Sequence, residues 1–230
     1  MAMAGPTATP ITITRMADAA ALVKLAIWLS PGYPVGAYAY RHGLEWAVET
    51  GAVRCRETLI DWIETLLRHG AGWSDAVLLA CAHRDPADPA PAELGWALQP
   101  SAERRLESRA QGGAFATVTA EAWPAPGLDA TPLPYPVALG RAAAAHGIAA
   151  ADAALFYLQG FAANLASAAV RLVPLGQTDG QRALAAVTPV CADVAAAAQD
   201  ATLDDVGGAA LLADIASMRH ETQHTRLFRS

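Results

Sequence analysis

Apolar residues recur at intervals of three and four along almost the whole chain, while alternating β-branched runs of strand type are nearly absent, so the sequence predicts an all-α protein. Leu22, Leu25, Ile27 and Leu29 open a first helix over residues 17–29, which Ser30, Pro31 and Gly32 stop. A Pro/Gly-bounded loop leads to Gly36. A second, short helix is expected from Tyr40 to Thr50, ended by Gly51, and a third from Arg56 to His69 with Gly70 as its stop. Ser74 is placed to cap a fourth helix running to His83. The stretch Asp85 to Pro91 carries three prolines and reads as a surface connection, because each lacks an amide donor and restricts its predecessor.

Ser101, followed by Arg104 and Arg105, begins a longer helix to about Trp123, and Gly112 and Gly113 inside it point to a close crossing or a kink. The proline-rich run from Pro124 to Pro136 ends it. Helices follow over Val137 to Ala145, Ala151 to Leu172 and Gly180 to Thr202, the last bent at Pro189, and a final helix over Leu203 to Thr225. Neither proline-rich break separates two independent cores, and no internal repeat is visible. The expectation is a single-domain helical bundle of about eight to ten helices with Pro-rich connecting loops. Its body spans residues 17–225, with an N-terminal arm at 1–16 and a C-terminal tail at 226–230.

Composition narrows the function classes. With 53% apolar residues over 230 positions, the chain can bury a sizeable core. A formal charge of −6, with scattered basic residues, supplies no electrostatic footprint for nucleic acid or an anionic membrane. Cys55, Cys81 and Cys191 are far apart in apolar helical contexts and read as small buried hydrophobes, which fits a reducing, cytoplasmic compartment. No secretory signal is seen at the start. The stretch from Ala153 to Val170 is long and apolar enough to raise the question of a bilayer. Its alanine content and its polar Gln159, Asn164 and Ser167 favour a central helix surrounded by others.

Familiar chemistries lack a foothold. The single lysine, Lys24, lies mid-helix between Val23 and Leu25, so there is no phosphate-cradling P-loop. No Gly-x-Ser-x-Gly elbow or dinucleotide fingerprint occurs. One catalytic pattern does match: His220, Glu221 and His224 spell His-Glu-x-x-His, which on a helix puts both imidazoles on one face with Glu221 as base, as in a zinc metallopeptidase. The six residues after His224 contain no third ligand, so a polar, solvated last turn is the preferred reading.

Two other stretches carry more than a core requires. In the run Trp28 to Glu45, proline and glycine can hold Tyr33, Tyr38 and Tyr40 in defined directions, which suits a recognition surface. At helical spacing Arg41 pairs with Glu45, and His42 stacks on Trp46. An aromatic-rich helix junction packed on the core would look the same. The tail Arg226, Leu227, Phe228, Arg229, Ser230 has the make-up of a binding hot spot, although arginine near a helix C-terminus also complements the macrodipole.

Residues 28–49 are similar to the "LSPxxPxGxxxxxxGLE" region of UreF, the urease accessory family, and Met218 to Gln223 with Arg226 to Ser230 resemble its "RHETQxxRLFRS" ending. The resemblance implies an all-α, non-enzymatic protein that dimerises and needs no cofactor of its own. It also implies binding to UreD (also called UreH) and to the GTPase UreG, with the complex docking on apo-urease so that GTP hydrolysis by UreG is coupled to nickel delivery. On the same footing, Gly36, Tyr40, His42, Gly43 and Glu45 become candidates for the UreG surface, joined by their neighbours Tyr38 and Arg41, and Arg226, Leu227, Phe228, Arg229 and Ser230 candidates for UreD. His224 stands where relatives are expected to carry tyrosine, so the zinc-site spelling reads as an accident.

Overall fold

The computed structural model describes residues 19–35 and 42–223, and among them finds ten α-helices, a single 3-10 turn and no strand. The helices are α1 (Ala19–Trp28), α2 (Leu44–Glu49), α3 (Arg56–His69), α4 (Ala71–Arg84), α5 (Ala90–Ala97), α6 (Ala102–Ala122), α7 (Tyr135–Ala145), α8 (Ala150–Leu172), α9 (Gln177–Ala197) and α10 (Leu211–His220). The protein is all-α and forms one domain, in which α4 packs on α3, α7 and α8, α8 on α9, α6 on α7, and α10 on α2.

Small residues let these helices approach. A Cβ on Gly140 of α7 would lie 2.4 Å from the Leu79 carbonyl oxygen of α4, so the two backbones touch there. Leu59, Ile63 and Leu67 of α3, Leu79 of α4, Leu139 of α7 and Leu158 of α8 are fully buried in the resulting core. An aromatic row runs through it, with Trp28 edge-on to Phe115 at 5.8 Å and Phe115 edge-on to Tyr135 at 5.6 Å. Among the described residues, α8 is the one helix long and apolar enough to cross a bilayer, and half of that stretch is buried inside the bundle.

Several element boundaries differ from the sequence expectation, each for a local reason. The second helix starts at Leu44 rather than Tyr40, because His42 and Gly43 take left-handed backbone angles with φ of 49° and 70°. The fourth starts at Ala71, and Ser74 caps nothing; its hydroxyl donates to the Gly207 carbonyl at 3.3 Å. The proline-rich stretch after Asp85 contains the start of an unexpected helix, α5, with Pro91 in the first turn where a missing N–H costs nothing. At Gly112 the close approach is real, but its partner is the loop before α7: a Cβ would sit 1.8 Å from the Leu133 carbonyl oxygen.

The ninth helix continues through Pro189 and ends at Ala197. No single helix runs from Leu203 to Thr225. The chain makes the 3-10 turn Leu203–Asp205, then an irregular stretch through Gly207 and Gly208, and only then α10. That stretch is held by the His69 carbonyl, which accepts from the amides of Ala209 at 2.8 Å and Ala210 at 3.0 Å. Of the three cysteines only Cys191 is buried; Cys55 instead stands at the N-terminus of α3, where its amide donates to Thr58 Oγ1 at 3.1 Å.

Candidate functional site

The first turn of α2, the first turn of α6 and the end of α10 meet at one point. Gly43 makes this possible, since a Cβ there would lie 2.5 Å from both the Ser217 amide nitrogen and the Ala216 Cβ of α10. Leu44 and Ala47 then bury the inner face of α2, and Glu45 in its first turn is 8% exposed. The last residue of α10, His220, is 6% exposed and sits between two carboxylates. Its Nδ1 is 2.7 Å from Glu103 Oε2 and its Nε2 is 3.3 Å from Glu45 Oε2.

The surrounding bonds tie the same three elements. Glu221 accepts the Glu103 amide at 3.1 Å, so the end of α10 satisfies a donor that the start of α6 leaves open and puts negative charge at its positive end. Ser101, at the expected start of α6, is its N-cap: it accepts the Arg104 amide at 3.2 Å and meets the Ser217 hydroxyl at 2.9 Å. Gln223 donates to Glu49 of α2. Arg104 and Glu107 form a buried ion pair one turn into α6, and Gln111 donates to Glu107 at 2.9 Å.

This geometry corrects two expectations. His220 is not in a polar, solvated last turn, since three helices enclose it. The zinc-site reading also fails to find support at His220 and Glu221. Both ring nitrogens of His220 face carboxylate oxygens, and Glu221 is bonded to a backbone amide. No group of three or more His, Cys, Asp or Glu side chains among the described residues is arranged to hold a metal.

His42 does not stack on Trp46; it precedes the helix, and its ring packs on Phe161 of α8 at 4.5 Å. Burial, and then Arg104, hold its imidazole well below the ordinary range. His42 and Arg104 line both a cavity of about 300 Å³ with Tyr135 and Tyr157, and a second of about 230 Å³ with Asp75 and Ser217. Gly36, Tyr38, Tyr40, Arg41 and the tail Arg226, Leu227, Phe228, Arg229, Ser230 lie outside the described residues, as do His224 and the expected Arg41–Glu45 pair. Of the sequence candidates, then, the fold brings His42, Gly43 and Glu45 together with His220 and Glu221.

Sequence reasoning missed Glu103 and Ser217, because nothing local marks a partner more than a hundred positions away. Ser101 as the expected start of the helix was legible, but its place in this junction was not.

Residues 53–188 match the family model described as UreF. The chain belongs to the UreF family. The match covers more than half of its length, and relatives named urease accessory protein UreF extend it to nearly the whole chain. The UreF of Cereibacter sphaeroides strain KD131 is 52% identical over 211 residues, covering 92% of this chain and 99% of its own. The UreF of Methylobacterium sp. strain 4-46 is 50% identical over 218 residues, with 90% and 87% covered. That of Bradyrhizobium diazoefficiens is 48% identical over 225 residues, with 93% of each chain covered. These alignments reach beyond the family model, which leaves out both α2 and α10.

Proposed function

We propose that this UreF-family chain is a non-catalytic urease accessory protein that acts as a scaffold for nickel incorporation into apo-urease. In this reading it works in the cytoplasm as a homodimer and needs no cofactor of its own. Gly36, Tyr38, Tyr40, Arg41, His42, Gly43 and Glu45 belong to the surface for the GTPase UreG, the tail 226–230 meets UreD (UreH), and the complex docks on apo-urease so that GTP hydrolysis by UreG is coupled to metal delivery. The arm at 1–16, the body at 17–225 and the tail at 226–230 are its three functional parts.

The observation that carries the reading is the His220 junction. The turn ahead of α2 and the end of α10 are built onto one another through Glu45, Glu103 and His220, which supports a scaffold that presents its two proposed partner surfaces from a single body. Rigid presentation lowers the ordering cost of binding, which is what a scaffold needs. Relatives carrying the name urease accessory protein UreF, aligned over 92% and 90% of this chain, support the same assignment.

Removing Arg226 to Ser230 is expected to abolish co-purification with UreD and leave urease without nickel, while the body stays folded. Full metal loading of urease without the tail would overturn the scaffold role. Substitution of Glu45 by alanine is expected to weaken UreG capture; unchanged capture by a folded variant removes Glu45 from that surface.

A further inference from the structure

The chain's single lysine lies at a second junction of distant elements. Lys24 of α1 reaches across to His146, the residue that ends α7, with Nζ 3.0 Å from Nδ1. The other ring nitrogen, Nε2, lies 3.0 Å from the carbonyl oxygen of Trp123 at the end of α6. A carbonyl only accepts, so Nε2 must carry the proton, and an ammonium only donates, so Nδ1 must offer its lone pair. The two contacts together fix one neutral tautomer of His146.

The setting reinforces that choice. The Lys24 ammonium stands 5.9 Å from the Trp28 ring centroid and 5.7 Å from that of Trp123, and the His146 ring is edge-on to Trp28 at 5.1 Å. Of the charged groups on the elements packed here, Lys24 of α1 is the one that acts on the ring; α6 offers the Trp123 carbonyl and indole, and His83 of α4 is bonded to the Ile148 carbonyl at 2.8 Å, two positions along. We propose that the Lys24–His146 contact is an acid-sensitive latch that holds the first turns of α1 to the ends of α6 and α7, and that opens when His146 takes up a proton at Nδ1.

Protonation replaces an acceptor by a second cation facing the Lys24 ammonium, so the contact turns from attractive to repulsive. Trp28 is fully buried and stays as the anchor, so opening is confined to the residues before it. Leu29, Ser30 and Pro31, which follow that anchor and help to line the cavity shared with His42, keep their place when the latch opens. Burial first, and Lys24 as a lesser cause, hold the His146 imidazole below its ordinary value, so the closed latch resists protonation and the open one does not. Opening is favoured as the pH falls below the ordinary imidazole range and continues to grow until the lowered value is passed.

The test uses the full chain, with ring titration of His146 by NMR and amide exchange, corrected for its intrinsic pH dependence, across α1 and α9 from pH 8 to 5. Wild-type α1 is expected to lose protection by up to about tenfold per pH unit over the His146 titration, while α9 holds. His146→Asn keeps an acceptor for Lys24 but has no proton to gain, and is expected to flatten the α1 response. Lys24→Met, which serves equally if the asparagine variant does not fold, is expected to raise the His146 titration toward the ordinary range and to leave α1 closed in acid. A wild-type α1 indifferent to His146 titration, or an unchanged acid response in either folded variant, overturns the latch.

Discussion

His220 Nε2 lies 3.3 Å from Glu45 Oε2, joining residues 175 positions apart in sequence. With Glu103 on the other ring nitrogen, the contact closes the chain on itself, so that α10 holds α2 and α6 in register. Removing the imidazole takes away the group that Glu45 and Glu103 both face and opens a gap where α2, α6 and α10 meet, and breaking a buried polar contact of this kind is costly. His220→Ala should therefore destabilise the fold by about 3 kcal/mol in urea titration. In a double-mutant cycle with Glu45→Gln, the two changes should couple by about 1 kcal/mol. Additive effects would mean that the two side chains do not act on one another.

Much of this architecture was legible because helix periodicity and stop signals are local. Arg56–His69 was readable to the residue, since its apolar face and the Gly70 stop lie within one segment. The His220 junction was not legible, because His-Glu-x-x-His and a helix-end latch are written with the same letters, and only the fold brings Glu103 beside them. The expected long last helix failed at Gly207 and Gly208. A Cβ on Gly208 would sit 2.6 Å from the His69 carbonyl oxygen, a tertiary constraint with no trace in local pattern.

Gly112 and its neighbour offer a sharp contrast within one helix. At Gly112 a methyl group collides with the Leu133 carbonyl, which belongs to a backbone that cannot give way cheaply, so Gly112→Ala should cost about 3 kcal/mol. At Gly113 the nearest atom to a new Cβ is 3.7 Å away, and Gly113→Ala should gain about 0.5 kcal/mol from helix propensity. Thermal unfolding of the two variants reads both. Equal losses would place the close approach elsewhere.

Tyr157 donates to Asp75 Oδ2 at 2.7 Å inside the bundle, and burial pushes the Asp75 carboxyl up to about 6 in spite of that bond. The sign follows from proton counting. Between the ordinary carboxylate value and about 6 the folded state binds more protons than the unfolded one, so this group's contribution is fully present below that window and is lost as the pH rises through about 6. Wild type should therefore gain stability relative to Asp75→Asn as the pH is lowered from 7 to 4. Tyr157→Phe removes a bond that favours the ionised form and should move the titration higher still. A pH-independent difference between wild type and Asp75→Asn would show that the carboxyl stays ionised in the fold.

The His220-Glu221-x-x-His224 spelling makes its own prediction about metal. A zinc ligand must present a free lone pair, whereas Nδ1 and Nε2 of His220 each face a carboxylate oxygen and Glu221 is committed to the Glu103 amide. Metal analysis of the purified chain should find no tightly held zinc. His220→Ala should lower the unfolding temperature by several degrees and leave the metal content as it was. About one zinc per chain, lost on changing His220, would require the imidazole to leave Glu45 and Glu103, and the junction that organises α2, α6 and α10 would then be a metal site.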